Sequence, residues 1–298
     1  MVTAMPHAMD NRKARTVGIV GLGLIGGSFA KAYADAGVTV YGYDIDEGTV
    51  QASLSEGTLA ARLSTERITQ CSVIIIALYP EATLDWLQEN ARFIRADALV
   101  IDCGGVKRAI CGPCFKLAGR FGFTFVGGHP MAGTHHSGYR HARGDLFAGQ
   151  PMVLVLPPDA GPEIGQRVRE SLIPVGFGSF SVTSAEDHDR IIAYTSQLAH
   201  VVSSAFIMSP TALLHKGFSA GSYKDLTRVA ELNPDMWTEL FMDNADFLGS
   251  EIDEIIGHLE EYRKALASKD AMMLHDLLSR GSAAKLAADG RYPESKVN

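Results

Sequence analysis

Long apolar runs are missing from this chain of 298 residues. None approaches the roughly 18 consecutive apolar residues that a bilayer-crossing helix needs. The opening MVTAMPHAMDNRKAR has no apolar core of the kind a secretion signal requires. These absences give no membrane partner and point to a cytoplasmic protein. An excess of basic charge is missing too, the formal net charge being −7. A broad nucleic-acid surface is therefore not expected, and an anionic ligand has to be met by a few placed cations. Cysteine is scarce, with four residues. Two of them form CGPC at 111–114, letter for letter the redox centre of thioredoxins, but that centre follows a strand directly and opens a helix. Here it lies several residues past Gly104 and Gly105, inside VKRAICGPCFKLAGRFG, and neither Cys71 nor Cys103 is spaced to complete a zinc site with it. The cysteines are read as structural. Internal repeats and low-complexity segments are also absent.

What is present is ordinary globular material, 46% hydrophobic and 20% charged, enough for about two domains. The first two-thirds alternates short apolar runs with helix-like stretches: TVGIV at 16, VTVYGYD at 38, SVIIIAL at 72, ALVID at 98, FTFVGG at 123 and PMVLVLP at 151, with GSFSVT near 178 closing the series. Strands apolar on both faces and separated by helices predict a mostly parallel sheet covered on both sides, an α/β doubly wound plan of the Rossmann type. From Ser184 the texture becomes helical. Ser184 caps an acidic first turn, and Asn233 with Pro234 at the first helical position repeats the pattern. The expected organisation is a disordered or extended stretch over 1–15, a Rossmann domain over 16–183 and an all-α domain over 184–298. Long apolar helix faces with few elements to cover them predict that the helical third buries itself against a second copy of the chain, a homodimer.

VGIVGLGLIGG places Gly21, Gly23 and Gly26 in the G-x-G-x-x-G spacing, directly after a strand and before a helix. The first glycine allows the tight turn, the second lets backbone approach a pyrophosphate, and the third lets helix and strand pack closely. The helix start at Leu24 and Ile25 supplies partial positive charge. Asp44 ends the second strand eighteen residues after Gly26. A carboxylate there accepts from both ribose hydroxyls of NAD and repels the 2′-phosphate of NADP. NAD is the expected cofactor. Leu78 and Tyr79 end a buried strand at the carboxyl edge of the sheet, where they either flank the nicotinamide ribose or form an apolar loop without cofactor contact.

VGGHPMAGTHHSG, residues 126–138, follows the next strand to the same edge. A neutral imidazole at His129 could accept a hydroxyl proton while hydride leaves the same carbon. A metal site is the competitor. His129, His135, His136 and His141 are close in sequence, but no Cys, Asp or Glu completes a ligand spacing, so no metal is expected.

Taken together, the glycine motif with its following double glycine, DCGGVK at 102–107, GGHPMAG at 127–133, YKDLTRVA at 223–230 and NPDMW at 233–237 resemble the prephenate/arogenate dehydrogenases of tyrosine biosynthesis. The likeness runs from about Thr16 to the last helix and looks like the stand-alone dehydrogenase form, a homodimer joined through its helical domain. It implies that prephenate, a cyclohexadienol with ring and pyruvyl carboxylates, gives hydride to NAD⁺ and loses CO2 as its ring becomes aromatic. His129 then matches the catalytic histidine. Arg228 matches the arginine that pairs with the ring carboxylate, a task its planar fork suits. His200 matches a histidine on the pyruvyl side; by spacing alone it could equally be a helix histidine satisfied by a carbonyl. Thr134 would line the pocket, and Trp237 is core or wall.

Two positions depart from the family pattern. Gly105 stands where a serine commonly orients the catalytic histidine, a gap left to a water or a neighbouring hydroxyl. His135 and His136 stand where an acidic residue and a lysine are common, which makes His135 a substrate-side candidate and puts substrate preference in doubt. The sequence is read as an NAD-dependent prephenate dehydrogenase, with arogenate as the alternative substrate. A β-hydroxyacid dehydrogenase would need a lysine on the first long helix of the second domain, and RIIAYTSQLAHVVSSAF has none. A non-catalytic NAD-binding dimer has only Gly105 in its favour.

Overall fold

The computed structural model describes residues 16–133 and 136–290. The expectations placed on the first fifteen residues, on Thr134 and on His135 lie outside the described residues. The chain alternates β1 (Thr16–Val20), α1 (Leu24–Asp35), β2 (Thr39–Tyr43), α2 (Glu47–Ser55), β3 (Ala61–Arg62), α3 (Thr65–Ile68), β4 (Val73–Ile76), α4 (Pro80–Asn90), β5 (Leu99–Asp102), α5 (Arg108–Phe121) and β6 (Thr124–Pro130). β7 (Pro151–Val155), α6 (Pro162–Ser171) and β8 (Ser179–Val182) complete one sheet in the order β3-β2-β1-β4-β5-β6-β7-β8. β3 through β6 run parallel, β7 is antiparallel to β6, and β8 is parallel to β7. The strand order reverses between β1 and β4, the point at whose carboxyl end such sheets take their ligands.

The expected two-sided burial is visible residue by residue. Val17 and Ile19 of β1, Val73 and Ile75 of β4, and Leu99 and Ile101 of β5 join one core cluster with Phe29 and Tyr33 of α1. The intervening Val20, Ile74, Ile76 and Val100 face the other cluster, with Trp86 and Leu87 of α4 and Ile110 and Cys114 of α5. This period of two is what a strand covered by helices on both faces requires.

Helical structure then runs through α7 (Ala185–Ile192), a π-helical segment (Ala193–Leu198), α8 (Ala199–Ile207), α9 (Gly221–Thr227) and α10 (Pro234–Met242). The stretch read as one amphipathic helix from Ser184 is thus broken by a π turn. Ser184 and Asn233 accept from the backbone N–H groups of Asp187 and Met236, as their N-cap assignments anticipate. By packing, the chain falls into two compact units, one ending at Asn244 and the other beginning at Ala245. In the second, α11 (Ala245–Ala267) and α12 (Ala271–Ala288) pack on each other and bury Ala265 and Leu277. Among the described residues no helix is long and apolar enough to cross a membrane.

Two features set the geometry of the carboxyl edge. A Cβ on Gly26 would overlap the carbonyl oxygen of Gly21, so α1 can meet β1 this closely only with glycine there. At the end of β5, Asp102 is fully buried and accepts from Gly104 N at 2.9 Å, Gly128 N at 3.0 Å and the equally buried Lys107 Nζ. Together these bonds settle a charge pair that neither member could occupy alone. Gly26→Ala should therefore destabilise the protein by about 3 kcal/mol or more, the upper range for overpacking. Lys107→Met, which strands a buried carboxylate, should cost about 3–5 kcal/mol. Urea unfolding followed by circular dichroism measures both, and a loss under about 1 kcal/mol for either would show that the site relaxes.

Candidate active site

The glycine turn leaves space on one side only. Gly21 sits at φ +84°, in the left-handed region, and a Cβ there would lie 2.8 Å from Leu78 Cδ2. A Cβ on Gly23 would meet nothing within 4 Å. The protein thus packs tightly against the first and third glycines and leaves the second open, as a backbone that receives a pyrophosphate must. α1 begins at Leu24 with no side-chain cap and no acidic residue in its first turn, so its positive end stays available to an anion. Asp44 follows β2 and is pinned beside this turn: Leu22 N donates to Oδ2 at 2.6 Å and Asp46 N to Oδ1 at 2.9 Å. Leu24 and Ile25 turn partly into the core. Leu78 is half-buried against Gly21, whereas Tyr79 is 44% exposed at the start of α4.

His129 lies in the last turn of β6, at the same carboxyl edge. Its Nδ1 is 2.9 Å from His188 Nε2, and His188 Nδ1 is 2.7 Å from Asp189 Oδ1. Both histidines sit below the ordinary imidazole value. Burial is the main cause for each, and for His129 the neighbouring His188 and the Lys107 ammonium oppose a proton further. An uncharged imidazole can accept a proton. Neither His188 nor Asp189 was singled out from sequence. Asp189 is fully buried and accepts from the backbone N–H groups of Lys107 at 2.7 Å and Arg108 at 2.8 Å, which caps α5 from another segment of the chain.

A second grouping lies on the helical segments. His200 is half-buried and its Nδ1 donates to the carbonyl of Ser196 at 2.8 Å, which satisfies one nitrogen as a helix histidine would. The ring packs on Trp237 with centroids 4.0 Å apart. Burial, then the nearby Arg228 charge, lowers the His200 pKa, so Arg228 and His200 are neighbours as expected. Arg228 caps the end of α9, exposed, and no carboxylate pairs with it among the described residues. Gln197, one turn before His200, accepts from Asn244 Nδ2 at 2.7 Å, and the same Nδ2 donates to the main-chain oxygen of Asp189 at 2.8 Å. The π turn and Asn244 thereby link the two groupings.

Hydrocarbon stands beside Gly105: a Cβ there would lie 3.3 Å from Leu240 Cδ2. His136 and His141 stack at 4.4 Å, and among the described residues no three His, Cys, Asp or Glu side chains gather as metal ligands. Cys111 and Cys114 lie within α5, buried in the core; burial pushes the Cys114 thiol up to about 12 and the Cys111 thiol higher. Burial thus disfavours their thiolate forms.

Comparison with known proteins agrees with this architecture. The prephenate dehydrogenase nucleotide-binding domain family matches residues 29–176, and the prephenate dehydrogenase dimerization domain family matches residues 184–280. The prephenate dehydrogenase of Bacillus subtilis is 30% identical over 272 residues, 88% of this chain and 72% of that protein. Two solved structures align over nearly the whole chain. One is the prephenate dehydrogenase of A. aeolicus in complex with hydroxyphenyl propionate and NAD+, with 25% identity, a TM-score of 0.79, and coverage of 92% of this chain and 98% of that one. The other is the arogenate dehydrogenase of Synechocystis, with 26% identity, a TM-score of 0.74, and coverage of 91% and 98%. With both domains matched in order and a relative shared across most of its length, the chain belongs to the prephenate/arogenate dehydrogenase family of oxidoreductases.

Proposed function

We propose that the protein is an NAD-dependent prephenate dehydrogenase that converts prephenate to 4-hydroxyphenylpyruvate and CO2. The observation that carries this reading is His129, an uncharged, half-buried imidazole on the sheet edge that also holds the open glycine turn and Asp44. A dinucleotide fits these residues: Gly23 and the start of α1 would meet the pyrophosphate, and Asp44 the ribose hydroxyls. When bound, the nicotinamide supplies a hydride acceptor. His129 takes the proton of the ring hydroxyl as that carbon becomes a carbonyl, and Arg228, which pairs with no carboxylate among the described residues, receives the ring carboxylate. His200 and Trp237 stand beside Arg228 as the wall for the pyruvyl end. Exposed Phe206, Met208, Leu213, Leu214 and Phe218, the last 92% exposed, form the apolar face that a second copy covers in a homodimer.

A second reading, arogenate as substrate, is favoured by the likeness to the Synechocystis enzyme. The two substrates differ at one side chain, keto in prephenate and ammonium-bearing in arogenate. His135 and His136 offer no carboxylate to that ammonium, which favours prephenate.

The deciding assay offers prephenate and arogenate separately, each with NAD⁺ and NADP⁺, and follows the reduced nicotinamide by absorbance. Prephenate with NAD⁺ should be the preferred pair, and equal use of NADP⁺ would remove Asp44 from its role. His129→Asn should lower kcat by about 10²- to 10⁴-fold with little change in KM. Arg228→Ala should instead raise the prephenate KM by roughly 10- to 100-fold, the worth of a charged hydrogen bond. The pH profile has a defined sign. The base works when neutral and its folded value lies well below 6.5, so kcat/KM should hold as pH falls through 6.5 and drop only beneath it. An acid limb at or above 6.5 would assign the proton to another group. His135→Glu should move the prephenate-to-arogenate ratio of kcat/KM toward arogenate by about fivefold, since about 1 kcal/mol is the scale of a close charge pair in water. An unchanged ratio would clear this loop of any part in selectivity.

A further inference from the structure

His129 has two ring nitrogens, and a base needs one particular nitrogen free. Which one is free is decided away from the substrate. Asp189 is held from several sides: Lys107 N and Arg108 N donate to its two carboxylate oxygens, Arg108 Nε lies 3.5 Å from Oδ2, and Asn244 anchors its main-chain oxygen. The carboxylate accepts and does not donate, so the proton of neutral His188 sits on Nδ1, which points at Asp189 Oδ1. His188 Nε2 then presents a lone pair to His129 Nδ1, 2.9 Å away, and that bond forms only if His129 carries its proton on Nδ1. The lone pair of His129 is left on Nε2. The opposite assignment would set two lone pairs against each other in a buried site. Residue 105 is a glycine and offers no side chain for this task, and Leu240 packs beside it.

We propose that His188 and Asp189 are positioning residues that lock His129 in the Nδ1–H tautomer, keep Nε2 free for the substrate hydroxyl, and steady the imidazolium while it holds the proton. The inference rests on the reading of His129 as the base. The hydroxyl O–H bond breaks and its proton joins Nε2, while the carbinol C–H bond breaks and its electron pair leaves with the hydride to the oxidised dinucleotide. The ring C–C bond to the carboxylate then breaks, CO2 departs, and that electron pair passes through the ring to the carbonyl oxygen, which recovers the proton from Nε2 as a phenol. Prephenate dianion and oxidised dinucleotide thus become a monoanion, CO2 and reduced dinucleotide, with no net proton released. A group that only lends a proton must be able to carry positive charge briefly, and the buried Asp189 carboxylate at the far end of the chain serves that need.

The test uses the full chain with ¹⁵N-labelled histidine, His129 being identified by the signals that disappear in His129→Asn. The ¹⁵N shifts should show the His129 proton on Nδ1 in the free protein at neutral pH. His188→Leu should lose this single tautomer and lower kcat by about 10- to 100-fold, the usual effect of removing a ligand-orienting partner, with the prephenate KM and NAD⁺ affinity nearly unchanged. His188→Gln, whose amide oxygen can accept from Nδ1, should restore the tautomer and most of the turnover. A wild-type proton on Nε2 would overturn the proposal, as would a His188→Leu enzyme with unaltered tautomer and kcat. Should His188→Leu not fold, the wild-type tautomer and the glutamine variant still decide. An Nδ1 proton in a protein that turns over neither prephenate nor arogenate would instead count against the proposed function.

Discussion

A single buried carboxylate, Asp189, ties the catalytic edge to the helical part of the chain. Left alone in that position it would be costly, and the structure surrounds it with donors from the start of α5 and from His188 and places the Arg108 guanidinium nearby. The first N–H groups of α5 have no side-chain cap of their own, so the same contact that stabilises the charge also satisfies orphan donors at a positive helix end. Because His129 bonds to His188, the orientation of a strand residue depends on how α7 docks. Asn244 then ties Asp189 to the π turn through Gln197, so this placement is shared over elements far apart in sequence.

The two ends of the site are built by opposite means. At the dinucleotide turn the protein works by leaving side chains out: Gly21 and Gly26 permit a close approach of backbone to backbone, and Gly23 leaves the outer face bare. At the other end it works by placing side chains, His129 against His188 and Arg228 beside His200. Arg228 has no carboxylate partner among the described residues, and burial holds the His129 imidazole well below its ordinary pKa. Between them, the Asp102–Lys107 pair holds the β5 and β6 ends together and places a cation where it opposes protonation of His129. A charge pair inside the sheet edge thus acts on the protonation of His129 from a distance.

The features legible in the sequence were those with a local cause. Alternating apolar strands, the glycine spacing, the carboxylate after β2 and the caps Ser184 and Asn233 each follow from backbone geometry within a few residues, and each is found where expected. β3 was missed because two residues show no periodicity. The π turn escaped because an i→i+5 bond has no compositional mark that separates it from an ordinary amphipathic helix. His188 and Asp189 were hidden by a correct but incomplete explanation: acidic residues after a capping serine suit a helix dipole, and nothing local distinguishes the one that turns inward.

By itself, then, the sequence determined a parallel sheet with a glycine turn, a histidine at its carboxyl edge and an arginine in the helical segment. Only the tertiary structure decided which groups stand behind that histidine, that Lys107 is buried against Asp102, and that Leu240 fills the space beside Gly105. The reason is physical. Helices, strands and turns answer to neighbours along the chain, whereas a tautomer, a buried charge and a filled gap answer to whatever atoms packing brings within a few ångströms, and for His129 and Gly105 those atoms come from residues 59 and 135 positions away.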